Sequence, residues 1–421
     1  MSDDFLTSEQ TENYGRYVAD PNEVQLARYF HLDERDLAFI NQRRGKHNRL
    51  GIALQLTTAR FLGTFLPDPL QIPSFIRFYI AAQLNISRPE ILSRYAEREN
   101  TRWEHQGLIK LYYDYHDFGD FPWTFRLKRL LYTRAWLSNE RPGLLFDFAT
   151  AWLLQNKILL PAASTLTRLI GEVRERASRR LWRRLALLPD SWQKTQLDGL
   201  LEIPEGQRIS VLEEMRKGPV TISGPSFTDA LERYTRLRSM EFSRLNFSGL
   251  PAIQLRNLAR YAGMASVKYI SRMPDERRLA VLTAFVKAQE ISALDEAVDV
   301  LDMLILDITR SAKNIGQKKR LRTLKDLDRA ALLLARACTL LLDENTDEAA
   351  LRQAIFRRIP KDKLAESVGK VNELARPQDT QFQDEMVEQY GRVKRFLSAM
   401  LRDLHFQAAP AGELTLSAIH Y

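Results

Sequence analysis

Seven arginines fall within the seventeen residues from Arg168 to Arg184, against two acids, Glu172 and Glu175. A guanidinium is charged at any physiological pH, and its planar fork of donors fits a phosphate. Phosphate binding needs cations gathered on one surface, so a local cluster says more than a scattered excess. The segment LPAASTLTRLIGEVRERASRRLWRRLALL, from Leu160, indicates how they would be gathered. Leu166, Leu169, Val173, Ala177, Leu181, Leu185 and Leu188 step by three or four, which predicts the buried stripe of a helix over 165–188. Pro161 and Ser164 suit its start. The other face would carry Arg168, Arg174, Arg176, Arg179, Arg180, Arg183 and Arg184 along about 35 Å, comparable to one turn of duplex. The ordinary alternative is a solvated charged face, but seven against two is unbalanced for that role. Trp182, among the arginines, is expected in the core or at its rim rather than as a stacking group.

A second basic cluster is the loop RRGKHNR at 43–49. Arg43, Arg44, Lys46 and Arg49 can clasp phosphates, and Asn48 adds a neutral donor at the start of the next helix. Three short helices would position them. Val24, Ala27 and Phe30 share a face over 22–30. Asp33 caps a helix over 34–43 that buries Leu37 and Ile40. Leu50, Leu54 and Phe61 share a face over 48–61. Such a set is the frame of a helix-turn-helix unit; the alternative is a solvated loop in a helical bundle.

The charge pattern of the whole chain agrees. Its 421 residues carry a net +9. Residues 121–188 hold thirteen Lys and Arg against four acids, an excess equal to that of the entire chain, while 1–60 hold eight against nine. Hydrophobic residues at 45% and charged residues at 27% describe packed globular domains rather than disorder. The length predicts two to four domains. The start, MSDDFLTSEQ, has no signal-peptide pattern, and no apolar run reaches membrane-spanning length; Ala330 to Leu342 is too short and contains Arg336. The expected compartment is the cytoplasm, associated with a bacterial nucleoid, with no membrane partner.

Other chemistry is not indicated. The lone Cys338 lies in AALLLARACTLLL and reads as a small buried thiol. The histidines (31, 47, 105, 116, 405, 420) do not fall at metal-ligand spacing. No Walker loop, dinucleotide fingerprint or nucleophile elbow occurs. Asp295, Asp299 and Asp302 would share a helix face, and close carboxylates can bind Mg²⁺. The interleaved Leu294, Val298, Leu301 and Ile305 make an amphipathic helix the better account, so no metal or cofactor is expected. The aromatics between Trp103 and Trp152 raise single-strand stacking, but they are expected mostly to fill a core.

Helical periodicity dominates the rest and predicts an all-α fold. Helices are expected near 73–85, 89–98, 101–114, 125–138, 143–157, 207–217, 227–240, 251–263, 275–290, 293–312, 318–342, 347–358, 361–374 and 380–404. Ser226 with Asp229, Ser292 with Asp295, and Asn345 with Glu348 have the spacing of capping boxes. Only GPVTISG (218–224) and ELTLSAI (413–419) alternate like strands. Turn-rich breaks place boundaries near 119 and 218. This gives two helical DNA-binding parts, 1–118 and 119–217, and a helical scaffold, 218–421.

These pieces, in this order, resemble the N-terminal part of the large replicative transposases of the Tn-three family. The resemblance rests on ARYFHLDERDLAFINQRRGKHNRLGIALQL and LLFDFATAWLLQNKILLPAASTLTRLIGEVRERASRRLWRRLA. It continues through LARYA, MPDERRLAVLTAF, ALDEAVDVLDMLI, RLRTLKDLDRAALLLARACTLLLD and RVKRFLSAML, covering roughly 5–405. It implies consecutive helical units that bind the terminal inverted repeats of a transposon as double-stranded DNA, and downstream helices that support pairing with itself or a full-length transposase. The matching positions are Arg43, Arg44, Lys46, Asn48 and Arg49, and the helix from Thr165 through Arg168, Arg176, Arg179, Arg180 and Arg183 to Arg184. The family's RNase-H-like catalytic domain, with its acidic triad and Mg²⁺, would lie beyond HFQAAPAGELTLSAIHY. No catalytic residue carries over, and the chain alone is expected not to be an enzyme. Two rival readings are a regulator that occupies transposon ends without chemistry, and a helical scaffold whose arginines meet an acidic protein.

Overall fold

The computed structural model describes residues 5–342, 350–374 and 385–404, with only the backbone described over 319–326. Among these residues the chain is all-α and has no strand; one isolated bridge joins His116 and Ile158. The strand expected at 218–224 does not form. Its two apolar strand formers, Val220 and Ile222, are 94% and 56% exposed, so the alternation has no partner to pack on or to take up its backbone hydrogen bonds. The second expected strand (413–419), the cap pair Asn345–Glu348, and His405 and His420 lie outside the described residues.

The chain divides into two compact units. One comprises Met1–Leu188, Asn246–Tyr261 and Met273–Val281; the other comprises Pro189–Leu245, Ala262–Arg272 and Leu282–Tyr421. The first contains α1 (Ser8–Asn13), α2 (Glu23–Gln25, continuing as a π turn, Leu26–Phe30) and α3 (Glu34–Asn41). It also contains α4 (Lys46–Leu62), α5 (Ser74–Gln83), α6 (Leu92–Ala96), α7 (Glu99–Tyr113), α8 (Trp123–Leu137), α9 (Pro142–Gln155) and α10 (Ala163–Ala186).

Helix α4 is the axis of the first core. Two glycines in the left-handed region bound it, Gly45 at φ +83° and Gly63 at φ +75°, conformations that only glycine adopts without strain. Every residue from Leu50 to Ala59 is buried. This corrects the expected single apolar face on Leu50, Leu54 and Phe61: α4 is enclosed on all sides, packed against the π turn, α3, α5, α6 and α7. Gly51 allows α6 to approach, since a Cβ there would lie 2.3 Å from Cδ1 of the buried Tyr95.

A buried polar knot fixes α3, α4 and α7 to one another. Arg60 donates to both carboxylate oxygens of Asp36 at 2.7 and 2.5 Å, and the Tyr113 hydroxyl donates to the same carboxylate at 2.7 Å. Burial alone would raise the Asp36 carboxyl; Arg60 and Tyr113 more than offset it and hold it below the usual carboxylate range. A second knot joins Gln55, Tyr95 and His105. Gln55 Nε2 donates to Tyr95 Oη at 2.8 Å, and Tyr95 Oη lies 3.0 Å from His105 Nδ1. Burial, assisted by the Arg43 charge, lowers His105 to about 4, so its ring is neutral and can accept the tyrosine proton.

The second core lies between α8, α9 and the first half of α10, with Phe5, Leu6 and Tyr14 against it. The aromatics separate here. Phe146 is buried, and Phe118, Trp123, Tyr132, Phe148 and Trp152 are partly buried in this core. Trp103, Phe121 and Phe125 are instead 66%, 88% and 61% exposed. A third, smaller core joins Leu181, Leu185 and Ala280, with Trp136 and Trp182 at its margin. Trp182 is thus a rim residue, and the Arg277 guanidinium sits 5.0 Å from its ring.

The other unit contains α11 (Ser191–Gly199), α12 (Val211–Met215), α13 (Gly224–Ser239), α15 (Val267–Ser271), α17 (Leu351–Arg358), α18 (Lys361–Leu374) and α19 (Tyr390–Asp403). Helices α14 (Ala252–Met264) and α16 (Asp275–Leu341) give residues to both units. In the second unit Phe227 of α13 meets Phe396 of α19 with ring centroids 5.5 Å apart. The buried Arg233 donates to the Lys217 carbonyl and to Glu296.

Three expectations fail in this part of the chain. The helices expected over 275–290, 293–312 and 318–342 are one helix, α16. Ser292 and Asp295 have capping-box spacing but are exposed within it, because no proline interrupts the run and Gly316 alone costs only about 1 kcal/mol. Helix α13 is capped by Ser223, whose side chain accepts from the amide of Ser226, rather than by Ser226 itself. Cys338 is exposed: the buried positions nearby are Ala330 and Ala337, while Leu332 and Leu341 are more than half exposed. The short helices α1, α11 and α15, capped by Thr7, Asp190 and Ser266, were too brief to show a period.

Candidate nucleic-acid interface

Helix α10 forms as its stripe predicts. Leu166, Leu169, Val173, Ala177, Leu181 and Leu185 are buried, joined by Ala163, Ile170 and Ala186; Leu188 is only partly buried. The arginines then divide by what they touch. Arg179 is paired with Glu175 at 2.5 Å, one turn away. Arg180 donates to the Tyr132 hydroxyl at 3.1 Å and lies 5.2 Å from the Trp136 ring. Arg184 donates to the Gly249 carbonyl at 3.3 Å. Arg174 is half-buried, and desolvation lowers its pKa. Arg168, Arg176 and Arg183 are exposed and, among the described residues, have no hydrogen-bond or ion-pair partner. At 3.6 residues per turn these three fall within about a quarter of the helix circumference. They make a line of unneutralised guanidinium groups opposite the buried stripe.

The start of α10 adds donors. Its N-cap is Ala162, which offers no side chain to the first amides. Thr165 sits here, half-buried, and helps line a cleft of about 480 Å³ with Thr11, Ser164, Thr167 and Arg168. Free amides and hydroxyls at the positive end of a 24-residue helix suit an anionic oxygen.

The loop at 43–49 also divides. Arg49 Nε donates to the Arg43 carbonyl at 2.9 Å and its Nη2 to the Asn41 carbonyl at 3.3 Å. Asn48 Nδ2 donates to the Arg44 carbonyl at 2.9 Å. Arg43 lies over Phe39 and bonds Gln42 at 3.2 Å. These three side chains hold the loop's shape, while Arg44 and Lys46 project from it into solvent. The first turn of α4 thus holds Lys46, His47 and Arg49 and no acid. Basic residues at the positive end of a helix dipole are electrostatically unfavourable until an anion arrives. Because α4 is buried from Leu50 to Ala59, the basic charge it offers to a ligand is in this first turn and the loop before it.

Further basic residues lie on α8, which packs along α10. Arg126, Lys128 and Arg129 are exposed. The charge count of 121–188 included them, but no pattern in the sequence set them apart as a surface. Among the described residues no group of three or more His, Cys, Asp or Glu can hold a metal, and no helix is long and apolar enough to cross a membrane.

Residues 5–173 match the model of a domain of unknown function, DUF4158. The whole chain is similar to the transposase for transposon gamma-delta of Escherichia coli K12, 77% identical over all 421 residues and 42% of that protein. It is 28% identical to the transposase for transposon Tn501 of Pseudomonas aeruginosa over 94% of the chain. It is 30% identical to the transposase for transposon Tn3926 of Escherichia coli, again over 94% of the chain. The latter two matches each cover 40% of the relative. The chain is therefore similar along its length to proteins named as transposon transposases, and it spans about two fifths of the relatives it matches. This overturns the expectation that the protein is no enzyme. That expectation rested on where the sequence stops, whereas a relative matching it end to end is named a transposase.

Proposed function

We propose that this chain acts in DNA transposition by binding the terminal inverted repeats of a transposon as double-stranded DNA, in the bacterial cytoplasm and nucleoid. The observation that carries the reading is the line Arg168, Arg176 and Arg183, unpaired on a helix whose opposite face is buried. The basic first turn of α4 supports it independently, since Lys46 and Arg44 gain from an approaching phosphate what they lack inside the protein. In this reading the first part (1–118) uses the loop and the second (119–217) uses α10. The two grip successive stretches of one duplex. Arg44, Lys46, Arg168, Arg176, Arg179 and Arg183 contact phosphates. Arg43, Asn48 and Arg49 shape the loop, Arg180 and Arg184 steady α10, and Thr165 donates at the helix start. Phosphate contacts supply most of the affinity, and a few side chains read bases. Residues 218–421 form a scaffold that pairs with a second copy or with a full-length transposase. Homology to named transposases favours this over an acidic protein partner, and over a regulator that merely occupies the ends.

Hydroxyl-radical footprinting of the chain on a terminal-repeat duplex tests it. Two protected stretches are expected. Arg44→Ala with Lys46→Ala should erase one, and Arg168→Ala with Arg176→Ala and Arg183→Ala should erase the other. A footprint unaffected by both sets refutes the assignment.

A further inference from the structure

Phe121 and Phe125 are two closely spaced exposed rings of the first unit. Phe121 stands just before α8 and Phe125 in its first turn, 88% and 61% exposed, and neither has an aromatic partner among the described residues. Their neighbours Trp123 and Phe118 pack into the second core, so the exposure is not a failure of the whole segment to bury its rings. Along α8, Lys128 and Arg129 lie three and four residues beyond Phe125 and therefore on its face; both are exposed and carry no ion pair among the described residues. One turn further, Tyr132 holds Arg180 of α10 at 3.1 Å. The rings thus begin a surface that passes through two free cations to the arginine helix.

An exposed aromatic ring beside free cations, on a face continuous with a phosphate-binding surface, has the chemistry of a base-stacking step. The ring takes the π-face of an unstacked base, and the cations take the flanking phosphates. Phenylalanine has no hydrogen-bonding group, so such a contact would be blind to sequence. Bases inside an intact duplex are stacked on one another and offer no free face. We propose that Phe121 and Phe125, with Lys128 and Arg129, bind unpaired DNA adjoining the duplex held by α10. The proposal rests on the DNA-binding reading above, and its test separates the two.

The test compares a fully paired terminal-repeat duplex with the same duplex extended by a single-stranded oligothymidine tail, using the 421-residue chain. The tail should raise affinity roughly five- to hundredfold, the range of one base–aromatic stack. Phe121→Ala with Phe125→Ala should abolish that gain and leave the paired duplex within about twofold; both rings are exposed, so the fold should not depend on them. Phe125→Trp should retain the gain. Lys128→Ala with Arg129→Ala should lower the salt slope of the tail's contribution by about 0.7 per charge. A tail that adds nothing to the native chain, or a gain that survives loss of both rings, overturns the proposal. Failure to bind the paired duplex at all would overturn the function proposed above and this proposal with it, whereas binding of the paired duplex with no ring-dependent tail gain would overturn this proposal alone.

Discussion

Replacing Arg168, Arg176 and Arg183 together with alanine perturbs the surface and little else. Each is exposed, none has a partner among the described residues, and alanine favours a helix. Each exposed substitution should change stability by no more than about 0.5 kcal/mol, so thermal unfolding followed by circular dichroism should hardly move. Binding should change by far more. Each phosphate neutralised contributes about 0.9 to the slope of log K against log salt. Loss of three contacts should therefore flatten the slope by about 2.7. Between 50 and 200 mM salt the native chain should then lose about 40-fold more affinity than the triple variant. Fluorescence anisotropy on a labelled terminal-repeat duplex across a salt series measures this directly. Arg180→Ala with Arg184→Ala is the comparison. These side chains are engaged with Tyr132 and the Gly249 carbonyl, so removing them should alter the slope less per residue. An unchanged slope in the triple variant, with folding intact, would refute the claim that this line touches the phosphate backbone.

Four further outcomes follow from the first unit. Arg60→Met should destabilise it by about 3–5 kcal/mol, because it strands the buried Asp36 carboxylate, whereas replacing both partners with apolar residues should cost less; urea unfolding of the single and double variants checks this. Gly51→Ala should cost about 1–3 kcal/mol, since the added carbon meets the enclosed Tyr95 ring, again read by urea unfolding. His105 titrates at about 4 in the folded chain and near 6.5 unfolded, so the unfolded state binds more protons between those values. Stability from the neutral ring should be fully present above about pH 6.5 and lost as pH falls toward about 4, a change that His105→Gln should blunt in pH-dependent thermal melts. Arg49→Ala should weaken DNA binding with a smaller change in salt slope than Lys46→Ala, because Arg49 bonds loop carbonyls and Lys46 faces solvent.

The all-α fold and the buried stripe of α10 were legible because a sustained step of three or four residues has one helical meaning. The extent of α16 was not. A serine three residues before an aspartate can cap a helix or sit harmlessly on its surface, and Ser292 does the latter. The enclosure of α4 was hidden for a related reason: Gly51, Gln55, Thr57 and Thr58 are buried as fully as its leucines, and polar or missing side chains leave no trace in a hydrophobic pattern. For the candidate interface, the sequence located both basic clusters but treated their members as equivalent. Partners drawn from distant residues, such as Tyr132 for Arg180 and Gly249 for Arg184, separate the engaged arginines from the free ones. The exposure of Phe121 and Phe125 beside the partly buried Trp123 depends likewise on packing that no local pattern encodes.

The proposed reading of transposon ends is open to direct measurement. Competition binding at one fixed salt concentration, between a terminal inverted repeat and a scrambled duplex of equal length and composition, tests it most directly. The repeat should compete at least about a thousandfold better, the lower end for specific recognition. Equal competition by the two duplexes, or no binding to either, would contradict it.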